Sequence, residues 1–196
     1  MIRHLERGEY SGPQRAFSFS SFARRPWLWE PRNWPKDNEN LDDCIRLSQG
    51  EGYVEPYLQF AAYLIRTEPK TTDRSTLRLI AAAHIVRNIA WKPGPYLVEV
   101  INLAEELMKP DNVLVVREAG AGALKNTAYH RGSHISKAVE LAVADWPEAS
   151  GRITYDRLRT LFYAARHSKN LLQTEEVRQC LERECQNENS TIAKSA

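Results

Sequence analysis

Two stretches of this chain have nearly the same sequence and lie 38 residues apart. The stretch 81–91, AAAHIVRNIAW, aligns with the stretch 119–129, AGAGALKNTAY, and this alignment places Asn88 on Asn126. The same offset continues through the apolar segments that follow, pairing Leu97 with Ile135, Ile101 with Val139, Leu103 with Leu141 and Ala104 with Ala142. Similarity at a fixed period is typical of helical repeats, whose units bury their apolar faces by stacking on their neighbours. The sequence therefore predicts an all-α fold, an α-solenoid of stacked helical hairpins.

The overall composition says little about the kind of partner. The chain has 196 residues, of which 42% are hydrophobic, and a formal net charge of +2. A dedicated DNA-binding domain usually carries a denser basic stripe than this balance provides. No apolar run approaches the roughly 18 residues that a membrane-spanning helix needs. We therefore expect one modest domain that does not enter a membrane.

The cysteines indicate a reducing compartment. Cys44, Cys180 and Cys185 are an odd and sparse set, which does not suit a disulfide framework. The first seven residues are mostly charged and lack the apolar stretch of a secretory signal. We expect a cytoplasmic or nuclear protein whose cysteines have a structural role.

Residues 1–40 differ in composition from the rest of the chain. They contain four of the prolines and six phenylalanine and tryptophan residues, which are Phe17, Phe19, Phe22, Trp27, Trp29 and Trp34. Prolines break a long helix, and so many aromatic rings are costly to leave in water. We favour a strap that caps the end of the solenoid. The alternative is a ligand-stacking or partner-binding patch built on Arg24, Arg25, Trp27 and Trp29.

From Leu41 onward the apolar periodicity is helical. The pattern predicts a repeat domain over 41–185 and a frayed polar tail over 186–196. Ser75 is the predicted N-cap of a helix that runs to about Trp91, and Asp111 or Asn112 caps a helix that reaches His130. The other predicted helices are a short one from Leu41, then Val54 to about Ile65, Tyr96–Lys109, Ile135–Trp146, Thr154–His167 and Leu171–Cys185. Gly120 and Gly122 lie in mid-helix, where glycine costs about 0.5–1 kcal/mol relative to alanine, so we expect them to relieve a close helix contact.

Several segments resemble the armadillo and HEAT repeat family. The stretch 117–128, REAGAGALKNTA, resembles the last helix of an armadillo repeat, and the stretch 85–90, IVRNIA, matches it again. The stretch 50–55, GEGYVE, resembles the turn of a HEAT repeat. The resemblance covers roughly 41–185 and is strongest over two units. It implies an armadillo/HEAT-like superhelix that binds its partners on a concave face.

The resemblance also implies a candidate binding site. In armadillo proteins that bind extended peptides, the asparagine of this helix bonds the peptide backbone, so Asn88 and Asn126 are the candidate ladder. Family members often carry tryptophan one turn earlier, where this chain has His84 and Gly122. The alternative is that both asparagines satisfy backbone groups at the helix ends. The full set of predicted partner-binding residues is Arg87, Asn88, Trp91, Lys125, Asn126, Tyr129 and Tyr163.

Two classes of function follow from these patterns. The first is a non-catalytic scaffold that holds a protein or an extended peptide. The second is a nucleic-acid-binding HEAT-like protein, a class that includes DNA glycosylases. Its supporting residues are Arg74, Arg78, Arg87, Lys125, Arg131 and the Trp-rich segment, and Asp145-Trp146 is the only hint of a catalytic acid beside an aromatic residue.

Recognisable catalytic or cofactor chemistry is weak in this sequence. His130 and His134 have metal-ligand spacing, but Gly132 and Ser133 between them predict a turn. Glu105-Glu106 is more typical of a solvated face than of a catalytic pair. The chain has no phosphate loop and no nucleophile elbow. We therefore predict no catalytic residues, no metal and no cofactor.

Overall fold

The structure is a computed structural model that describes residues 41–49, 54–68, 73–146, 150–167, 170 and 173–185. The described residues form eight α-helices and contain no β-strand, which confirms the all-α prediction. The helices are α1 (Leu41–Gln49), α2 (Val54–Thr67), α3 (Asp73–Ile89), α4 (Leu97–Met108), α5 (Leu114–Ala128), α6 (Ile135–Val143), α7 (Gly151–His167) and α8 (Glu175–Cys185). The predicted cap over 1–40 and tail over 186–196 lie outside the described residues. Among the described helices, none is long and apolar enough to cross a membrane.

The chain divides between Lys92 and Pro93 into two compact units. The first unit contains α1, α2 and α3, and the second contains α4 to α8. The division falls within the range 41–185 that the sequence predicts as one repeat domain. It coincides with Pro93-Gly94-Pro95, where two prolines prevent α3 from continuing.

In the first unit, α3 packs against both α1 and α2. The three consecutive alanines at 81–83 are all buried, and their small side chains let the neighbouring helices approach closely. Phe60 and Leu64 of α2 are fully buried in the same core. Arg78 of α3 forms an ion pair with Glu68 just beyond α2, with 2.5 Å between Nε and Oε1. Apolar packing and one shielded ion pair therefore hold α3 in place.

In the second unit, α5 is the central helix and packs against α4, α6 and α7. Gly120 marks its contact with α4. A Cβ atom on Gly120 would lie 2.9 Å from the Leu107 Cβ and 3.0 Å from the Ala104 carbonyl oxygen. Those distances are shorter than ordinary van der Waals contact, so only glycine lets the two helices come this close. The prediction that Gly120 relieves a close contact is confirmed.

A buried arginine joins α7 to the end of α6. The Arg157 guanidinium donates from Nε to the Ala142 carbonyl at 2.8 Å and from Nη2 to the Ala144 carbonyl at 2.5 Å. These carbonyls stand at the C-terminus of α6, where helical backbone partners are missing and positive charge is favourable. Burial of the guanidinium is the main cause that lowers the pKa of Arg157. The side chain therefore ends α6 and ties it to α7.

Some predicted helix boundaries are wrong. Ser75 lies inside α3, which begins at Asp73, and is not its N-cap. Asn112 donates from Nδ2 to the carbonyls of Glu106 and Leu107, at 2.8 and 3.0 Å, so it closes the end of α4. The N-cap of α5 is Val113, which makes no side-chain capping bond. A capping residue between two helices can cap either one. Here the Asn112 side-chain amide donates to carbonyls at the end of α4, which have no helical partner.

Three residue pairs that the 38-residue alignment makes equivalent are buried. Ala81 and Ala90 in the first unit have no exposed surface. The same holds for Leu103 and Ala128 in the second unit, where Ala119 and Leu141 are each 4% exposed. The alignment therefore pairs core positions with core positions.

Candidate interaction site

The turns that follow α3 and α5 have the same backbone hydrogen bonds at the 38-residue offset. The Trp91 N–H donates to the Asn88 carbonyl at 3.3 Å, and the Tyr129 N–H donates to the Asn126 carbonyl at 3.3 Å. The next N–H groups bond in the same way, Lys92 to Ile89 at 2.9 Å and His130 to Thr127 at 3.0 Å. The aligned sequences therefore form helix ends of the same geometry.

A glycine shapes the second half of each turn. A Cβ atom on Gly94 would collide with the ring of Tyr96, and one on Gly132 would lie 2.6 Å from Nδ1 of His134. The helices that follow begin alike, with the Leu97 N–H donating to the Gly94 carbonyl and the Ile135 N–H to the Gly132 carbonyl. Each turn therefore needs glycine to let a ring fold back over it.

Asn88 bonds the first helix of its own unit. Its Nδ2 donates to the Ile45 carbonyl at 3.2 Å and to the Ser48 hydroxyl at 3.1 Å. Ser48 donates from Oγ to the same Ile45 carbonyl at 2.6 Å. Ile45 lies in the last turn of α1, where carbonyls have no helical partner. Asn88 is half-buried and holds α1 on α3.

The polar candidates on α5 also turn toward the protein. Asn126 is buried, with 1% of its surface exposed. Lys125 forms an ion pair with Asp156 of α7, with 2.5 Å between Nζ and Oδ1, and the Asp156 side chain is 3% exposed. The ion pair stabilises the contact between α5 and α7, and the burial of Asn126 means that the two residues do not form a solvent-facing row of donors. Arg87, the remaining basic candidate, is half-buried in the first unit.

Two of the aromatic candidates are more accessible than the polar ones, while Tyr163 is half-buried. Trp91 in the first unit is 51% exposed, and Tyr129 in the second is 47% exposed. Tyr129 meets Tyr163 of α7 edge-to-face, with 5.5 Å between the ring centroids. The His167 Nε2 lies 3.0 Å from the Tyr129 carbonyl oxygen. The structure thus brings Tyr129 and Tyr163 together at the junction of α5 and α7.

A further set of residues on α7 was missed by the sequence analysis. Arginines and aromatic residues alternate along one face of this helix, and we call them the α7 stripe: Arg152, Tyr155, Arg159, Phe162 and Arg166. Both aromatic members are exposed. The signal was present in the sequence, because their spacing of three, four, three and four residues places them on one helix face.

Arg159 is held in position by the rings around it. Its guanidinium carbon lies 5.0 Å from the Phe162 ring centroid and 4.9 Å from that of Tyr163. Its Nη2 donates to the Tyr163 hydroxyl at 2.8 Å. That hydrogen bond is the main cause that raises the pKa of Arg159. Cation–π contact and the hydrogen bond together fix the guanidinium at the surface.

A surface pocket of about 330 Å³ lies between the turns 93–98 and 130–134. His130 and His134 are among its lining residues. The His134 Nε2 lies 3.1 Å from the carbonyl oxygens of Thr127 and His130, so this ring nitrogen is engaged by the backbone. Within the described part of the chain, no group of three His, Cys, Asp or Glu residues could hold a metal ion.

The residues that favoured nucleic-acid binding have mixed positions. Arg78 and Lys125 are engaged in ion pairs with Glu68 and Asp156, whereas Arg131 is exposed. Arg74 lies in α3, and its side chain is outside the described residues. In the Asp145-Trp146 pair, Asp145 is exposed and the Trp146 Nε1 donates to the Leu141 carbonyl at 2.9 Å. The pair therefore does not place an acid beside an aromatic residue in an enclosed groove.

No protein-family model matches the chain, and no match is found among curated proteins or solved structures. The likeness to armadillo and HEAT repeats therefore rests on the residues of this chain alone.

Proposed function

We propose that this protein is a non-catalytic interaction scaffold, a short armadillo/HEAT-like α-solenoid that binds a protein or an extended peptide. The 38-residue sequence repeat and the matching turns after α3 and α5 support this architecture. The central position of α5, packed by α4, α6 and α7, agrees with a stack of hairpins. Cys180 is a buried free thiol, which suits action in a reducing compartment such as the cytoplasm.

The observation that carries this proposal is the Tyr129–Tyr163 pair. Tyr129 leaves almost half of its surface in water, although its ring packs edge-to-face on Tyr163. Tyrosine is enriched among the residues that dominate binding energy at protein interfaces, because it offers a large rigid ring with a polar tip. Trp91 has the corresponding position in the first unit and is a separate candidate contact.

The polar residues of the predicted ladder take a supporting role in this proposal. Lys125 fixes α5 on α7 through Asp156, and Asn88 fixes α3 on α1. They would hold the aromatic residues in place while the rings make the contact. This division differs from the peptide-backbone ladder that the family resemblance implies.

The test is photo-crosslinking from two positions of the full chain. A benzophenone amino acid replaces Tyr129 in one sample and Val113, which is also exposed in the second unit, in the other. We expect Tyr129 to crosslink one or a few proteins in native lysate, and we expect Tyr163→Ala to reduce that product. Equal products from both positions would contradict the proposal. Crosslinked products that nuclease treatment removes would also contradict it, because they would be nucleic acid.

Nucleic-acid binding is the second candidate function, and the arginines and aromatic rings of the α7 stripe favour it. Single strands bind through stacked aromatic residues and positive charge. Such binding weakens steeply with salt, because each neutralised phosphate releases counterions. A mobility-shift titration at several salt concentrations therefore separates the candidates, since a protein scaffold shows no steep salt slope.

A further inference from the structure

The α7 stripe lies along one face of the helix. On an α-helix its five positions fall within roughly 80° of the helix circumference and extend over about 21 Å. Arg152 and Arg166 are exposed and Arg159 is half-buried, while Tyr155 is 44% exposed and Phe162 is 53% exposed. Aromatic residues and arginine are enriched at protein interfaces, so their alternation here favours a contact with another molecule.

The opposite face of α7 is buried in the protein. Ile153, Thr160 and Ala164 lie on that face and are all buried, and α7 packs against α5 and α6. The helix that follows, α8, packs on α6. The α7 stripe therefore lies on the side of α7 that faces away from these contacts.

The charged residues of the α7 stripe are all positive. Three of its five residues are arginines, and the single acidic residue of α7, Asp156, is buried in its ion pair with Lys125. The Arg159 guanidinium is already ordered by Phe162 and Tyr163. A planar guanidinium fork matches a carboxylate in two parallel hydrogen bonds. The surface is therefore prepared for carboxylates beside apolar groups.

The spacing of the charges indicates the form of the partner. The arginines are seven residues apart, which corresponds to about 10.5 Å along the helix axis. A second helix with an acidic residue every seven positions has the same repeat, and seams spaced by three and four residues pack against such a helix. A nucleic-acid strand carries a phosphate about every 3.4 Å of duplex axis, so three arginines at this spacing would meet few of its charges.

We propose that the α7 stripe binds an acidic amphipathic helix of another protein. Carboxylates of that helix pair with Arg152, Arg159 and Arg166, while its apolar side chains pack on Tyr155 and Phe162. Neither terminal segment is acidic, since residues 1–40 carry seven Lys and Arg against five Asp and Glu, and residues 186–196 carry one Lys and one Glu. This inference rests on the proposed function as an interaction scaffold and adds the class of partner.

The experiment measures fluorescence anisotropy with the full chain. The probe is a labelled helical peptide of about three heptads with leucine and glutamate alternating along its seam. A matched peptide carries lysine in place of each glutamate. We expect the acidic peptide to bind and the lysine peptide not to bind. We expect Phe162→Ala to weaken binding of the acidic peptide by about tenfold.

Charge exchange gives the decisive comparison. The triple variant R152E/R159E/R166E should bind the acidic peptide about a hundredfold more weakly, because each lost ion pair weakens binding by about tenfold or less. The same variant should bind the lysine peptide. The matched control is Arg183→Glu, an exposed arginine of α8 in the same unit, which should leave both affinities unchanged. Circular dichroism melting checks that each variant remains folded.

Four outcomes would overturn the proposal. The acidic peptide fails to bind the wild-type chain, or Arg183→Glu weakens it as much as the triple variant does. A thymidine oligonucleotide displaces the peptide with a steep salt slope, which assigns the stripe to nucleic acid. Light scattering finds a dimer that the triple variant dissociates, which assigns it to a second copy. If the acidic peptide does not bind but position 129 still crosslinks a protein, the scaffold function is supported and only the partner assigned to the α7 stripe is wrong.

Discussion

Lys125 on α5 and Asp156 on α7 form an ion pair that is largely shielded from water. The Nζ and Oδ1 atoms are 2.5 Å apart, and the side chains are 16% and 3% exposed. α5 and α7 pack against each other, and this pair links them. Lys125, a predicted partner-binding residue, therefore also stabilises the contact between two helices.

Replacing Lys125 by methionine should destabilise the second unit. The change leaves the Asp156 carboxylate buried without its cation, and removing one member of a buried pair costs about 3–5 kcal/mol. Urea unfolding followed by far-ultraviolet circular dichroism would measure the loss. The double variant Lys125→Met with Asp156→Leu should regain most of it. A double variant as unstable as the single one would show that the charge is not the cause.

Gly120→Ala should lower stability although alanine is the better helix former. The new methyl group would meet the Leu107 Cβ at 2.9 Å and the Ala104 carbonyl at 3.0 Å, and the carbonyl cannot rotate away. Overpacking costs about 1–3 kcal/mol, which exceeds the gain of about 0.5–1 kcal/mol from removing a helical glycine. Gly151→Ala is the matched control, because no atom lies within 4 Å of its added Cβ. Thermal melting should separate the two variants, and equal melting temperatures would contradict the close contact.

The first turn of α8 should weaken in acid. The Glu175 carboxylate accepts hydrogen bonds from Arg178 Nη2 at 2.6 Å and from Gln179 Nε2 at 2.8 Å. These bonds, that from Arg178 first, lower the pKa of Glu175 below its ordinary value. A carboxyl group whose pKa is lower in the folded state than in the unfolded state stabilises the fold at pH values above its unfolded pKa, about 4.3 for glutamate. This contribution to folding stability is lost as the pH falls through the folded-state pKa.

Carboxyl-carbon NMR would follow this titration directly. The Glu175 resonance should titrate below the ordinary glutamate value of about 4.3. The Arg178→Gln variant should move the Glu175 midpoint upward, since it removes the main donor. A Glu175 midpoint that this variant leaves unchanged would contradict the assigned hydrogen bonds.

The helices could be predicted from sequence because apolar side chains recur at helical spacing over long segments. The ends were less predictable. Asn112 lies between two helices, and its amide could cap α5 or close α4; only the folded distance to the Leu107 carbonyl decides between them. The prolines at 93 and 95 indicate the end of a helix in the sequence. That this helix end is also the boundary between two compact units is not evident from the sequence.

The candidate site was harder to predict than the fold. The alignment of Asn88 with Asn126 was visible, yet the groups that engage these segments lie far away in the sequence. Asn88 bonds Ile45, 43 positions earlier, and Lys125 pairs with Asp156, 31 positions later. Neighbours of this kind are set by tertiary packing, and no local pattern reveals them. The α7 stripe was the reverse case, because its residues share one helix and their spacing alone defines the face.

The Asn88→Ala variant tests which role this residue has. It removes the donor to the Ile45 carbonyl and the Ser48 hydroxyl, so the last turn of α1 loses its link to α3. Half-buried hydrogen bonds of this kind contribute about 1–2 kcal/mol in total. We expect lower stability of the first unit and faster amide hydrogen exchange in α1. The matched control is Gln59→Ala, whose side chain is exposed on α2 and bonds to nearby Glu55, and it should change neither quantity. A variant that keeps the stability and exchange of the wild type but loses the crosslinked partner would restore Asn88 as a binding residue.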